Sequence, residues 1–237
     1  VEPSSTEPST TRRLDGLTWT ALVATLLVYP ALYSSGLMGE LVRPIILQHS
    51  RAHWWYFWWA NMAFHWVPFG LVWLALRGNG EGWSSIGVDW AWFWKLRWLF
   101  GAILGLLGVA AFLMPGVHYG EQLPGISRSV FLAPVSRLER LWVIWVAVTA
   151  GVTEEVLFRG FALTRLTRIL RSPWLALPLT LVAFLFIHGK PRDMGQLLAY
   201  TIAGLAFGVP FIFMKLKRLE VLIAIHFAID ASMVLAP

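Results

Sequence analysis

Residues 141–164, LWVIWVAVTAGVTEEVLFRGFALT, decide how this chain is read. The stretch is long and apolar enough to cross the roughly 30 Å hydrocarbon core of a bilayer as a helix, yet Glu154, Glu155 and Arg159 lie inside it. A charge at the centre of a membrane helix costs about 2.5–3.5 kcal/mol on insertion scales, so three together call for partners or water. Their spacing supplies part of the answer. Glu155 and Arg159 are four apart with the acid first, the favourable order for an ion pair on one helical face. Glu154 points about 100° away from that face and stays free. A free carboxylate in a dry cavity near a histidine suits a general base that takes a proton from water. The alternative is an ion-paired cluster that fixes helix packing and does nothing else.

Working outward, similar apolar runs recur at 17–38, 53–76, 97–115, 174–188, 195–214 and 219–236. With 57% hydrophobic residues, 14% charged residues and a mean hydropathy of +0.64, the composition excludes a water-soluble domain. The expectation is therefore an all-α polytopic transmembrane bundle of about seven spans, with a C-terminal four-helix catalytic core. The run 174–188 is short and contains Pro178, which predicts a tilted, broken or protein-covered helix. Residues 1–16, rich in Ser, Thr, Pro and Glu, read as a disordered leader. The run that follows Arg12 and Arg13 is longer than a signal-peptide core and reads as a retained anchor. Residues 17–139 then hold the N-terminal helices, and residues 140–237 the catalytic membrane core. Trp83, Trp90, Trp92 and Trp94 crowd the segment between the second and third runs, which places it at the headgroup level.

The net charge of +6 and pI near 10.1 do not indicate a nucleic-acid partner, because Lys and Arg fall in short stretches between apolar runs. Counted on alternate sides of the bilayer, with Arg159 left out, they divide eleven to seven in favour of a cytoplasmic N-terminus. With no cysteine, disulfides and thiol catalysis are excluded, and a metal site would have to use His and carboxylates. Gly101 with Gly105, and Gly204 with Gly208, are spaced for close helix crossing.

Besides His53 at the edge of its run, three histidines fall within apolar runs. Phe184 and His188 stand one helical turn apart at the end of their run, where a lone histidine can simply snorkel to the interface. His226 and Asp230 form another i, i+4 pair, well inside the last run, where ionisable residues are functional candidates by default and helix pairing is the plainer alternative. His65 reads as a histidine bonded to a neighbouring helix.

Taken in order, Glu154 to Arg159, Phe184 to His188 and His226 to Asp230 resemble the CAAX-protease and bacteriocin-processing (CPBP, or Abi) family, which includes the Rce1-type prenyl-protein endopeptidases. The family pattern is Glu-Glu-x-x-x-Arg, then Phe-x-x-x-His, then His-x-x-x-Asn or a similar polar residue, and the resemblance covers roughly residues 140–236. It implies an intramembrane endopeptidase in which Glu154 activates water, His188 aligns it, and His226 with Asp230 forms the oxyanion side. Glu155, Arg159 and Phe184 would support the site. Asp230 departs from the Rce1-type Asn, because an ionised Asp cannot donate to an oxyanion. It must then be protonated, orient His226 or bind a metal. A metal-free mechanism is preferred, as no His-Glu-x-x-His is present; the alternative is a zinc site at His188, His226 and Asp230.

Neither a Gly-x-Ser-Gly nor a Gly-x-Gly-Asp motif is present, which disfavours serine and aspartyl mechanisms. The rival class is a non-enzymatic membrane scaffold, immunity protein or transporter. The expected partners are the lipid bilayer and a membrane-associated protein or peptide substrate. The expected location is a bacterial plasma membrane.

Overall fold

The computed structural model describes residues 15–48, 50–113, 134–191 and 193–231, and every regular element among them is helical. The all-α expectation holds. All of the proposed leader but Asp15 and Gly16, which open the first helix, lies outside the described residues, as do the segment 114–133 and the last residues of the final run.

Local chemistry marks where the helices begin. Asp15 accepts from the Thr18 N–H at 2.7 Å and opens α1, Gly16–Ser34. Gly36, at φ +91°, breaks the chain before α2, Leu37–Gln48, so the first apolar run is two elements where the sequence suggested one. Ser50 caps α3, Arg51–Gly78, through the His53 N–H. A 3₁₀ turn, Trp83–Ile86, precedes α4, Trp90–Leu113. A capping box of Ser136 and Glu139 starts α5, Arg137–Leu170. Ser172 and Pro173 begin α6, Pro173–Ile187; Asp193 caps α7, Met194–Phe213; and α8 runs Leu219–Ala231.

Three helices, α1, α5 and α7, are long and apolar enough to cross a membrane, and Phe100–Ala110 and Pro173–Ile187 are shorter apolar helices. Helix α3 carries His53, Asn61 and His65 among its tryptophans, which lowers its hydropathy, and α8 is described over 13 residues.

Helix α5 is the axis of the fold. At 34 residues it is about 50 Å long, and Glu154 stands 17 residues from Arg137 and 16 from Leu170. From Glu155 to Leu163 the helix widens to π geometry, and every side chain in that stretch is buried. The other π stretch, Ala24–Val28 in α1, ends next to Tyr29. Wider turns of this kind recur at functional sites because they re-aim side chains without ending the helix.

Close approaches bring the neighbours in. A Cβ on Gly151 would lie 3.0 Å from the Phe227 backbone nitrogen and 3.2 Å from the Ile223 carbonyl, so α8 can rest directly on α5. Gly204 and Gly208 abut Leu181 and Leu177 of α6, as their spacing suggested, whereas Gly101 and Gly105 face nothing within 4 Å. The Trp-rich segment divides in two. Trp83 stacks on Phe69 at 5.6 Å and Ile86 is buried, while Trp90, Trp92 and Trp94 are exposed. Gly87, at φ +94°, closes that turn, and its carbonyl accepts the Leu219 N–H at 2.9 Å, fixing the start of α8.

Candidate functional site

Glu154, at the centre of α5, is buried and accepts no hydrogen bond among the described residues. Two imidazoles flank its carboxylate. His65 Nδ1, from α3, is 4.0 Å from Oε1, and His226 Nε2, from α8, is 3.9 Å from Oε2.

Its neighbour Glu155 is fully buried and engaged. Glu155 Oε1 accepts from Arg159 Nη1 at 3.1 Å and lies 2.8 Å from His226 Nδ1. A carboxylate only accepts, so Nδ1 carries a proton and the His226 ring turns its Nε2 edge towards Glu154. Asp230 Oδ2 lies 3.5 Å from the same Nε2. Three carboxylates from two helices thus surround one imidazole.

Arg159 also donates to the Gly204 carbonyl at 3.3 Å. Its guanidinium lies 4.2 Å from the centre of the Phe184 ring and 5.4 Å from that of Phe207, and this aromatic sandwich holds a buried cation away from water. Phe207 in turn stacks on His226, with ring centres 5.0 Å apart. Gly204 and Phe207 come from α7, which therefore supports the pair from outside. Beside it, Phe158, Arg159, Phe184 and Gly204 line part of a small cavity that continues between α5, α6 and α7.

His188 caps the end of α6 and is exposed. Its Nδ1 lies 3.0 Å from the Phe184 carbonyl, which fixes Nδ1–H as donor and leaves the Nε2 lone pair available. Its ring meets those of Phe184 and Tyr200 at 4.8 and 4.6 Å between centres. It forms no ion pair or hydrogen bond with Glu154, His226 or Asp230 among the described residues.

Of the residues singled out from sequence, Glu154, Glu155, Arg159, Phe184, His226 and Asp230 come together, and His188 joins them through Phe184 without an ion pair or hydrogen bond to Glu154 among the described residues. Among the described residues no group of three or more His, Cys, Asp and Glu is arranged to hold a metal, the alternative set of His188, His226 and Asp230 included. His65 does bond to a neighbouring helix, as expected, through Thr153 Oγ1 at 2.9 Å. The sequence did not reveal that it also faces Glu154. Tyr29, Thr153 and Phe207 were missed as well. The Tyr29–Tyr33 pair, one turn apart in an apolar run, was the available signal for a polar face on α1.

A family model described as type II CAAX prenyl endopeptidase Rce1-like matches residues 136–232. The match spans α5 to α8 and none of α1 to α4. No curated protein and no solved structure matches the chain.

Proposed function

From residues 136–232 as an Rce1-like segment, and from the CAAX-type intramembrane protease that this supports in general, we propose that the chain is an endopeptidase in which Glu154 activates the attacking water. The substrate in this reading is a peptide bond in a membrane-associated protein or peptide. One observation carries it: a buried carboxylate that accepts no hydrogen bond among the described residues lies between two imidazoles, at 4.0 and 3.9 Å.

In this mechanism Glu154 takes a proton from water as the oxygen attacks the scissile carbonyl, and gives that proton to the leaving nitrogen as the C–N bond breaks. His226, held through Nδ1 by Glu155, directs Nε2 at the place where negative charge develops, and an N–H there stabilises the oxyanion. Asp230 faces that same nitrogen, which favours an orienting role for it over direct donation to the oxyanion. His188, with Nδ1 tied to the Phe184 carbonyl, offers Nε2 to align the water as substrate enters. Arg159, between Phe184 and Phe207, holds Glu155 in place. The protein sits in a bacterial plasma membrane with its N-terminus in the cytoplasm, in keeping with the Lys and Arg distribution.

The test is cleavage of a peptide library by the full chain in detergent, read by mass spectrometry, for wild type and Glu154→Gln, each with and without a zinc chelator. Cleavage should vanish in the variant and survive the chelator. A variant that cuts like wild type would remove Glu154 from the chemistry. Loss with chelator alone would point to a metal centre.

A further inference from the structure

We propose that His65 is a positioning residue for Glu154, so that the site extends beyond the Rce1-like segment to helices α1 and α3. The inference rests on the proteolytic reading above for its kinetic consequences, but its geometric content stands without it.

His65 is buried, in a helix whose exposed face is rich in tryptophan. Its Nδ1 lies 2.9 Å from Thr153 Oγ1 and 2.9 Å from the Tyr29 hydroxyl. Thr153 donates its own proton to the Thr149 carbonyl at 2.8 Å, so its oxygen is free to accept from His65 Nδ1–H. That contact fixes the ring plane and the tautomer. Tyr29 is placed by α1: Tyr33, one turn on, donates to Asn61 Oδ1 at 2.5 Å, and the two tyrosine rings meet edge to face at 5.1 Å. The result is a buried polar chain from Asn61 through Tyr33, Tyr29 and His65 that ends at the carboxylate of Glu154.

His65 Nδ1–H is shared between the Thr153 and Tyr29 oxygens, and that same nitrogen is the atom that stands 4.0 Å from Glu154 Oε1, so the two bonds that fix the ring also fix the polar edge beside the carboxylate. The arrangement also solves a problem for the base. Glu154 has His226, Asp230, Glu155 and Arg159 on one side, from α5 and α8, and nothing there hydrogen-bonds it. His65 is the polar group that defines its other side. With the ring locked by Thr153 and Tyr29, the carboxylate is confined between two imidazoles, and confinement of this kind is what positions a reacting group.

The substitutions separate polarity from packing. His65→Phe keeps the ring volume and removes both nitrogens, while His65→Asn places an amide where Nδ1 stands and sacrifices volume. Tyr29→Phe removes a single oxygen and serves if the ring substitution disturbs the fold. Infrared difference spectra on acidifying the full chain in detergent identify the Glu154 carboxyl band as the one absent in Glu154→Gln. That band should shift in His65→Phe and Tyr29→Phe and stay near its wild-type position in His65→Asn. On any peptide the wild type cuts, His65→Phe should lower kcat by roughly tenfold or more with KM within about twofold, and His65→Asn should recover much of it.

An unchanged Glu154 band in both His65→Phe and Tyr29→Phe overturns the inference, as does equal loss of kcat in His65→Phe and His65→Asn. If wild type cuts no peptide, the proteolytic reading fails while the infrared band still decides the role of His65.

Discussion

Glu155 Oε1 lies 2.8 Å from His226 Nδ1, so a carboxylate on α5 sets the orientation of the ring that α8 brings beside Glu154. The same oxygen takes the Arg159 guanidinium at 3.1 Å, and all three side chains are buried. Two adjacent glutamates thereby divide the work. One is fixed by a cation and a histidine, and the other remains unbonded.

Glu155→Leu should therefore destabilise the fold, because Arg159 would keep only the Gly204 carbonyl and two aromatic faces. Leaving one member of a buried pair uncompensated costs about 3–5 kcal/mol. The double variant Glu155→Leu, Arg159→Leu should recover most of that stability but not the cleavage, since His226 would still lack its Nδ1 acceptor. Thermal unfolding in detergent, followed by circular dichroism, checks the first half and the peptide assay the second. Equal melting of the single and double variants would show that the pair is not coupled.

Gly151→Ala should lower the melting temperature and reduce cleavage together. The new methyl would lie 3.0 Å from the Phe227 nitrogen and 3.2 Å from the Ile223 carbonyl, so α8 has to move away from α5 and carry His226 with it. Overpacking of this sort costs about 1–3 kcal/mol. Gly101→Ala and Gly105→Ala provide the contrast. With nothing within 4 Å, either should be neutral or stabilising by up to about 1 kcal/mol, the usual gain of Ala over Gly in a helix.

Those glycines show where sequence reading ran out. The Gly-x-x-x-Gly spacing is the same at 101/105 and 204/208, yet among the described residues the second pair alone has a helix against it, and Gly151, without such spacing, permits the crossing that builds the site. Spacing along one helix records which residues share a face, not what lies opposite. For the same reason the Glu155–Arg159 pair was legible: both partners are on α5, and the π stretch leaves residues four apart on one side. The free Glu154 followed from the same rotation. The approach of His65 to Glu154 was not legible, since it depends on how α1, α3 and α5 pack, over a separation of 89 residues. The break at Gly36 was hidden because apolar residues continue across it into α2.

Asp230→Asn should keep cleavage within about tenfold of wild type, while Asp230→Ala should lose substantially more. Asp230 Oδ2 stands 3.5 Å from His226 Nε2, a place from which an amide can accept through oxygen or donate through nitrogen. A residue needed only to orient His226 or to support the oxyanion tolerates that exchange. A residue needed as a carboxylate does not. Relative kcat/KM on one cleaved peptide settles it, and a collapse in Asp230→Asn to the level of Asp230→Ala would require an ionised Asp230.

Away from the site, the loop after α3 should give the protein a measurable acid sensitivity. Burial acts to raise the pKa of Glu81, but the nearby Ser85 hydroxyl and the cations Arg165 and Arg168 outweigh it, so the group ends below the ordinary glutamate range. Arg165, buried in α5, is its ion-pair partner, and Arg168 approaches to 3.5 Å. A carboxyl group with a lowered pKa in the folded state contributes stability that is complete above its unfolded value, near 4.3, and is lost as pH falls through the folded value. The melting temperature should therefore fall on acidification below about pH 4, and fall less steeply in Glu81→Gln, which has no proton to take up. Because Glu81 is partly open to solvent, added salt should shrink the difference between the two proteins. Parallel melting curves for wild type and Glu81→Gln across that range would mean that the Arg165 contact contributes nothing to the pH dependence of folding.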